Sequence, residues 1–142
     1  MRDLRLVVDT NVLISRLLSP RSVAARAVDL AIAEGRLLVS EATLSELARV
    51  LARPKFDRYV EIQDRQEFIR YLSTLVEVVT ILQRFRACRD PKDDMFLDVA
   101  INGQASTIIT GDEDLLALDP FMKIRIVTPA MWVDRSFQDR SK

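Results

Sequence analysis

The side chains best suited to chemistry in this sequence are carboxylates. Asp9 ends the run LRLVVD and is followed by Thr10 and Asn11, and Asp112 lies in TGDED with Asp114 close behind. Asp94 belongs to RDPKDDMFLDVA, together with Asp90, Asp93 and Asp98, and Glu46 sits in ATLSELARVL. The 142 residues include no histidine and one cysteine, Cys88. Ser-His-Asp and Cys-His nucleophiles are therefore excluded, as are His-ligated zinc or iron and acid–base catalysis by imidazole. Cys88 has no internal disulfide partner and reads as a small hydrophobe in a reducing cytosol. Any catalysis must use carboxylates, amines, hydroxyls or a metal held by oxygen. Such a donor set selects a hard cation, Mg²⁺ or Mn²⁺.

The elements that must position these acids follow from the hydrophobic pattern. Leu4 to Val8 is an apolar, β-branched run of the length of a buried strand. Val12 to Leu18 and Val23 to Ala33 read as helices, the second closed by Gly35 as a C-cap. Leu37 to Val39 is a short strand, and Ser40 caps a helix running to about Ala52. Beyond Pro54, the spacing predicts helices over Phe56 to Ile62 and Gln66 to Leu75, then a strand over Val76 to Leu82. Asp94 to Asn102 is helical and is stopped by Gly103, and Thr107 to Thr110 is a strand. Leu115 to Leu118 is a short helix, Ile124 to Val127 a strand, and Pro129 to Val133 a last helical turn. Alternating strands and helices indicate an α/β fold, with helices on both faces of a mainly parallel sheet of about five strands. Ligands of such sheets bind beyond the carboxyl ends of the strands, where Asp9 and Asp112 fall.

Each acid also has a structural use. Asp9, Thr10 and Asn11 are all good helix N-caps. Asp93, Asp94, Asp112 and Asp114 sit in first helical turns, where negative charge complements the macrodipole. Glu46 has Arg49 at i+3 as a partner. On a wheel of about 100° per residue, however, Leu44, Leu47, Ala48 and Leu51 define the apolar arc, and Glu46 falls on its flank beside Thr43 and Val50. A carboxylate at a core boundary needs compensation, which a metal shared with Asp9 or a surface arginine supplies.

Taken in order, these motifs resemble the PIN-domain ribonucleases, and within them the VapC-like toxins of toxin–antitoxin systems. The likeness runs from about Leu4 to Trp132 and is carried most strongly by SEATLSELARVLARPKF and CRDPKDDMFLDVAINGQASTIITGDEDLL. It implies a three-layer α/β/α PIN-like fold in one domain, residues 1–142, with a core over 4–133 and a tail over 134–142. It further implies a Mg²⁺- or Mn²⁺-dependent endoribonuclease that leaves a 5′-phosphate and a 3′-hydroxyl. Asp9, Glu46, Asp94 and Asp112 would be the catalytic, metal-binding acids, with Asp9 and Asp94 as principal ligands. Asp93, Asp98 and Asp114 are secondary candidates, because the register near Asp94 is open and Asp114 can share or replace the role of Asp112. Asn11 and Thr110 would orient ligands or water around the cluster. The resemblance also implies a cognate antitoxin and a homodimer.

Lys+Arg and Asp+Glu number 21 each, so net charge says nothing by itself about a polyanionic partner. Acids gathered in one place leave basic side chains for another surface. Arg49, Arg53, Lys55 and Arg58 follow Glu46, and Arg84, Arg86 and Arg89 precede Asp94. Of these, Arg49, Arg53, Lys55, Arg86 and Arg89 are the candidate RNA contacts, with Phe56 and Tyr59 either stacking bases or turned inward. Phe68, Leu72 and Leu75 form an apolar stripe that serves either a subunit contact or the core. No apolar run approaches the ~20 residues of a membrane span and the N-terminus lacks a secretory pattern, so a cytoplasmic location without membrane attachment is expected. Two alternatives use the same acids. A catalytically silent PIN-fold binding module leaves no trace in the sequence. A phosphoacceptor receiver domain needs a lysine just after the last strand, whereas Lys123 precedes Ile124.

Overall fold

The computed structural model of the chain describes residues 4–134, so most of the expected C-terminal tail, 135–142, lies outside the described residues. Five strands form one sheet: β1 (Leu4–Val8), β2 (Gly35–Val39), β3 (Val76–Val78), β4 (Thr107–Ile109) and β5 (Arg125–Val127). All four strand pairs are parallel, in the order β3-β2-β1-β4-β5. Between them run α1 (Thr10–Leu18), α2 (Val23–Glu34), α3 (Glu41–Leu51), α4 (Ile62–Leu75), α5 (Asp94–Asn102) and α6 (Glu113–Leu116), with α7 (Pro129–Asp134) last.

The sheet divides the core in two because successive side chains of a strand point to opposite faces. Leu6 and Val8 of β1, Ile109 and Val127 pack with α1, α2, α3, α4 and Trp132 of α7. Val7, Ile108 and Ile126 pack on the other face with Phe96, Leu97, Val99 and Ala100 of α5 and Leu115 of α6. The result is the expected three-layer α/β/α architecture. Among the described residues no helix is long and apolar enough to cross a membrane.

Local sequence sets the helix starts. Asp9 accepts from the Val12 amide and opens α1, and Ser22 does the same for α2 through Ala25. Ser40 and Thr43 form a reciprocal capping box at α3. Gly35 closes α2 as expected and, being extended, also begins β2 without an intervening turn, two residues before the expected start at Leu37. Its register opposite Leu4 explains the glycine, since a Cβ there would stand 2.4 Å from the Leu4 carbonyl oxygen.

Two expected elements are corrected. Residues 56–62 are not a helix; a 3₁₀ turn at Pro54–Phe56 is followed by turns, and α4 starts at Ile62. Arg65 organises this segment from a buried position, donating to the carbonyls of Leu51 and Val60 and pairing with Asp57. The third strand stops at Val78, after which 79–90 is largely irregular. Val79 still donates to the Val39 carbonyl, but the amides of Leu82, Gln83, Phe85, Ala87 and Cys88 go to side chains of α5.

Candidate functional site

The strand order reverses at β1, with β2 and β3 on one side and β4 and β5 on the other. Chains leaving the carboxyl ends of β1 and β4 therefore separate, which opens a crevice between them. The backbone ladder continues one residue past both strands: the Asp9 amide donates to Ile109 and the Thr110 amide to Val127. Asp9 and Thr110 are thereby set side by side at the base of the crevice.

Asp9 is 5% exposed and fully engaged on one side. Its Oδ1 accepts from the Val12 amide at 2.9 Å and its Oδ2 from the Thr110 hydroxyl. Thr110 Oγ1 in turn accepts from the Asp112 amide at 2.9 Å, so one threonine orients both acids. Burial raises the Asp9 pKa, the Thr110 and Val12 hydrogen bonds offset part of that, and the Asp112 charge adds to the rise. Asp112 caps α6 by accepting from the Asp114 amide.

Glu46 reaches the same crevice from α3. Thr10 donates to its Oε2 at 2.8 Å, and Arg49 stands 3.5 Å from its Oε1. The flank position read from the helical wheel thus has both a hydroxyl partner and the arginine at i+3. Thr10 is a residue that sequence reasoning treated only as a cap; its place one residue after Asp9 is the signal that marks it, since it lies on the same strand-to-helix junction.

The third acid requires a correction. Asp93, not Asp94, faces Asp112. One carboxylate oxygen each from Asp93, Asp112 and Asp114 lies within 4.8 Å of the others, a spacing that fits one cation. Asp94 is turned away and buried, with its Oδ1 accepting from the amides of Ala87 at 3.1 Å and Cys88 at 2.8 Å. Burial raises its pKa, but those amides, the Cys88 thiol and Arg86 outweigh this and hold Asp94 below the ordinary carboxylate range. Cys88 responds in the opposite sense, its thiol pushed up to about 12 by burial and by the hydrogen bond and charge of Asp94. Asp98 is also outside the crevice; it accepts from the Phe85 amide at 2.7 Å, and burial raises its pKa. Asp93 has no amide donor to its carboxylate among the described residues. Burial, the hydrogen bond with Asp112 and the charges of Asp112, Asp90 and Asp114 push it up to about 7.

Asp9, Glu46, Asp93 and Asp112 line one open cleft of about 230 Å³, with Asn11 and Asp90 on its wall. Of the five candidate RNA contacts only Arg53 lines it. Arg49 borders it through Glu46, and Lys55 lies over the Phe56 ring at 5.2 Å from its centroid. Arg86 and Arg89 are exposed on the loop before α5. Phe56 is buried in the core, whereas Tyr59 is 71% exposed. Phe68 and Leu72 are buried within this chain, so that stripe belongs to the core.

The cleft brings several carboxylates together, and Asp93 faces Asp112 with no amide donor to its carboxylate among the described residues. Hard oxygen donors at this spacing are the kind that bind a divalent cation, and the crowding of acids raises the Asp93 carboxyl to about 7. The residues present fit Mg²⁺ or Mn²⁺.

Comparison with known proteins agrees with this architecture. Residues 5–114 match the family described as PIN domain. An uncharacterized protein of Methanocaldococcus jannaschii is 31% identical over 144 residues, covering 92% of this chain and 90% of the relative. VapBC2 from Rickettsia felis, solved bound to a DNA fragment from their promoter, superposes with a TM-score of 0.61 at 11% identity. That match covers 88% of this chain and 98% of the other. PAE2754 from Pyrobaculum aerophilum superposes with a TM-score of 0.60 at 14% identity, covering 93% and 88%.

Proposed function

The chain belongs to the PIN domain family, and from that membership together with its acidic cleft we propose that it is a metal-dependent endoribonuclease. The observation that carries this reading is the convergence of Asp9, Glu46, Asp93 and Asp112 on one cleft where the strand order reverses. Asp93, Asp112 and Asp114 would hold Mg²⁺ or Mn²⁺, with Asp9 beside Asp112 and Glu46 on the cleft wall. Bound there, the ion would polarise a phosphodiester and lower the pKa of a water.

The chain's own contribution is orientation. Val12 and Thr110 fix both oxygens of Asp9, and Thr110 also ties down the backbone of Asp112. Thr10 and Arg49 hold Glu46 toward the cleft. Asn11 presents an exposed amide at its edge. Cleavage adds a water oxygen to phosphorus and breaks the bond to the 3′ oxygen, which leaves as a hydroxyl, while the phosphate stays on the 5′ side of the downstream product. Neither histidine nor thiol is needed.

The biological role we propose is the toxin of a type II toxin–antitoxin pair acting in the cytoplasm, with an antitoxin protein and a second copy of this chain as partners. The supporting likeness is structural, to VapBC2. Arg49, Lys55, Arg86 and Arg89 would add exposed positive charge around the cleft for the RNA backbone.

The test incubates purified protein with labelled RNAs, with and without EDTA, beside Asp9→Asn. Cleavage that EDTA stops and that falls about 100-fold or more in the variant is expected. Equal cleavage by both proteins would reveal a contaminating nuclease and remove the assignment.

A further inference from the structure

Arg53 and Lys92 stand out because they line the cleft that Asp9, Glu46, Asp93 and Asp112 also line, yet neither forms an ion pair or side-chain hydrogen bond among the described residues. Two of the nearby acids already have other partners. Glu46 is taken by Thr10 and Arg49, and Asp90 accepts from the backbone amide of Lys92 and not from its ammonium group. Two cations thus face a carboxylate-rich cleft without being consumed by it.

A second cleft, of about 300 Å³, shares Asp9, Asn11 and Asp112 with the first but continues past Ser15, Gly111 and Pro129. Among the described residues no lysine or arginine lines it. Among the described residues the acids therefore divide a groove that carries basic side chains from one that carries none. A mononucleotide needs only one of these; a strand crossing the acids occupies both.

Resting on the ribonuclease reading above, we infer that Arg53 and Lys92 form a one-sided phosphate clamp. They hold the phosphate adjacent to the scissile one and make the substrate a single-stranded polynucleotide whose hold is electrostatic on the Arg53 and Lys92 side only. The physical need is plain: a second phosphate approaching Asp9, Asp93 and Asp112 is repelled unless cations on the wall counter it. Arg53 supplies a planar fork that matches two phosphate oxygens, and Lys92 a mobile point charge. Lys92 is carried on the Pro91–Asp93 3₁₀ turn, so the same turn delivers both the clamp and the acid beside it.

The test measures binding of a fluorescent single-stranded oligoribonucleotide by anisotropy across a salt series, in an Asp9→Asn background so that the strand stays intact. Each phosphate contact on a single strand adds about 0.7 to the slope of log affinity against log salt. Lys92→Met and Arg53→Met are each expected to lower the slope by about 0.7, and the pair by about 1.4. Lys92→Arg restores the slope, and Arg70→Met, an exposed cation that lines neither cleft, leaves it unchanged. In the cutting-competent chain, Lys92→Met raises KM more than it lowers kcat. A double variant with the parental slope, or an Arg70→Met loss equal to that of Lys92→Met, overturns the clamp while RNA cleavage by the unaltered chain leaves the nuclease reading standing. A chain that neither binds nor cuts any RNA overturns both.

Discussion

The acidic cleft and the irregular segment at 79–90 both meet the first turn of α5, yet they treat carboxylates in opposite ways. The segment places two backbone amides on Asp94 and one on Asp98. The cleft gives Asp93 no amide and surrounds it with Asp90, Asp112 and Asp114. Two acids one residue apart thus have pKa values moved in opposite directions, Asp94 down and Asp93 up to about 7. Asp94, supplied with donors, holds the loop, whereas Asp93 is left among other acids. Between these two neighbours the difference lies in the supply of amides, not in the residue type.

Removing each acid is the harshest way to break this comparison. Asp94→Ala leaves two part-buried amides without an acceptor and is expected to cost about 3 kcal/mol, lowering Tm by roughly 10 °C in a chain of this size. Asp93→Ala relieves repulsion and is expected to leave the Tm of the metal-free protein unchanged or higher. Thermal melts in EDTA check both, and an equal loss in the two variants would erase the distinction.

A smaller effect follows from pH, with different windows for the two acids. The Asp93 pKa is raised in the fold, so its stabilising contribution is complete below 3.8 and is lost as pH rises through about 7. The Asp94 pKa is depressed, so its contribution is present above 3.8 and is lost as pH falls below it. Metal-free protein should therefore lose a few degrees of Tm between pH 4 and 8, a modest figure because Asp93 is only partly buried. Asp93→Asn reduces this decline, to which the raised Asp9 and Asp98 also contribute, and saturating Mn²⁺ reduces it too. A Tm that rises steadily over that window in EDTA, with Asp93→Asn making no difference, would place the repulsion elsewhere.

Much of the fold could be read because hydrophobic period and capping agreed. Leu4–Val8, the Ser40-capped helix and the Thr107–Ile109 strand each combine a clean apolar pattern with an unambiguous boundary. Residues 56–62 misled because Phe56 and Val60 have helical spacing, whereas Arg65 takes the Val60 carbonyl and pairs with Asp57. Val79 and Ile81 look like strand continuation, but they pack on α5 while their neighbours satisfy α5 side chains. The acids at Asp9, Glu46 and Asp112 could be placed from strand ends and a helical wheel. The choice between Asp93 and Asp94 could not, since consecutive helical residues point about 100° apart and a distant segment decides which side is the cleft. Lys92 was hidden for the same reason: its significance lies in which wall it joins.

The central claim is that Asp93 belongs to the cation site and Asp94 to the loop. Mn²⁺ titration of Asp93→Asn and Asp94→Asn, each verified as folded at the temperature used, tests it most directly by calorimetry. Asp93→Asn is expected to weaken Mn²⁺ binding by about 10-fold or more, while Asp94→Asn stays within a few-fold of the unaltered chain. Binding lost in Asp94→Asn and retained in Asp93→Asn would contradict it.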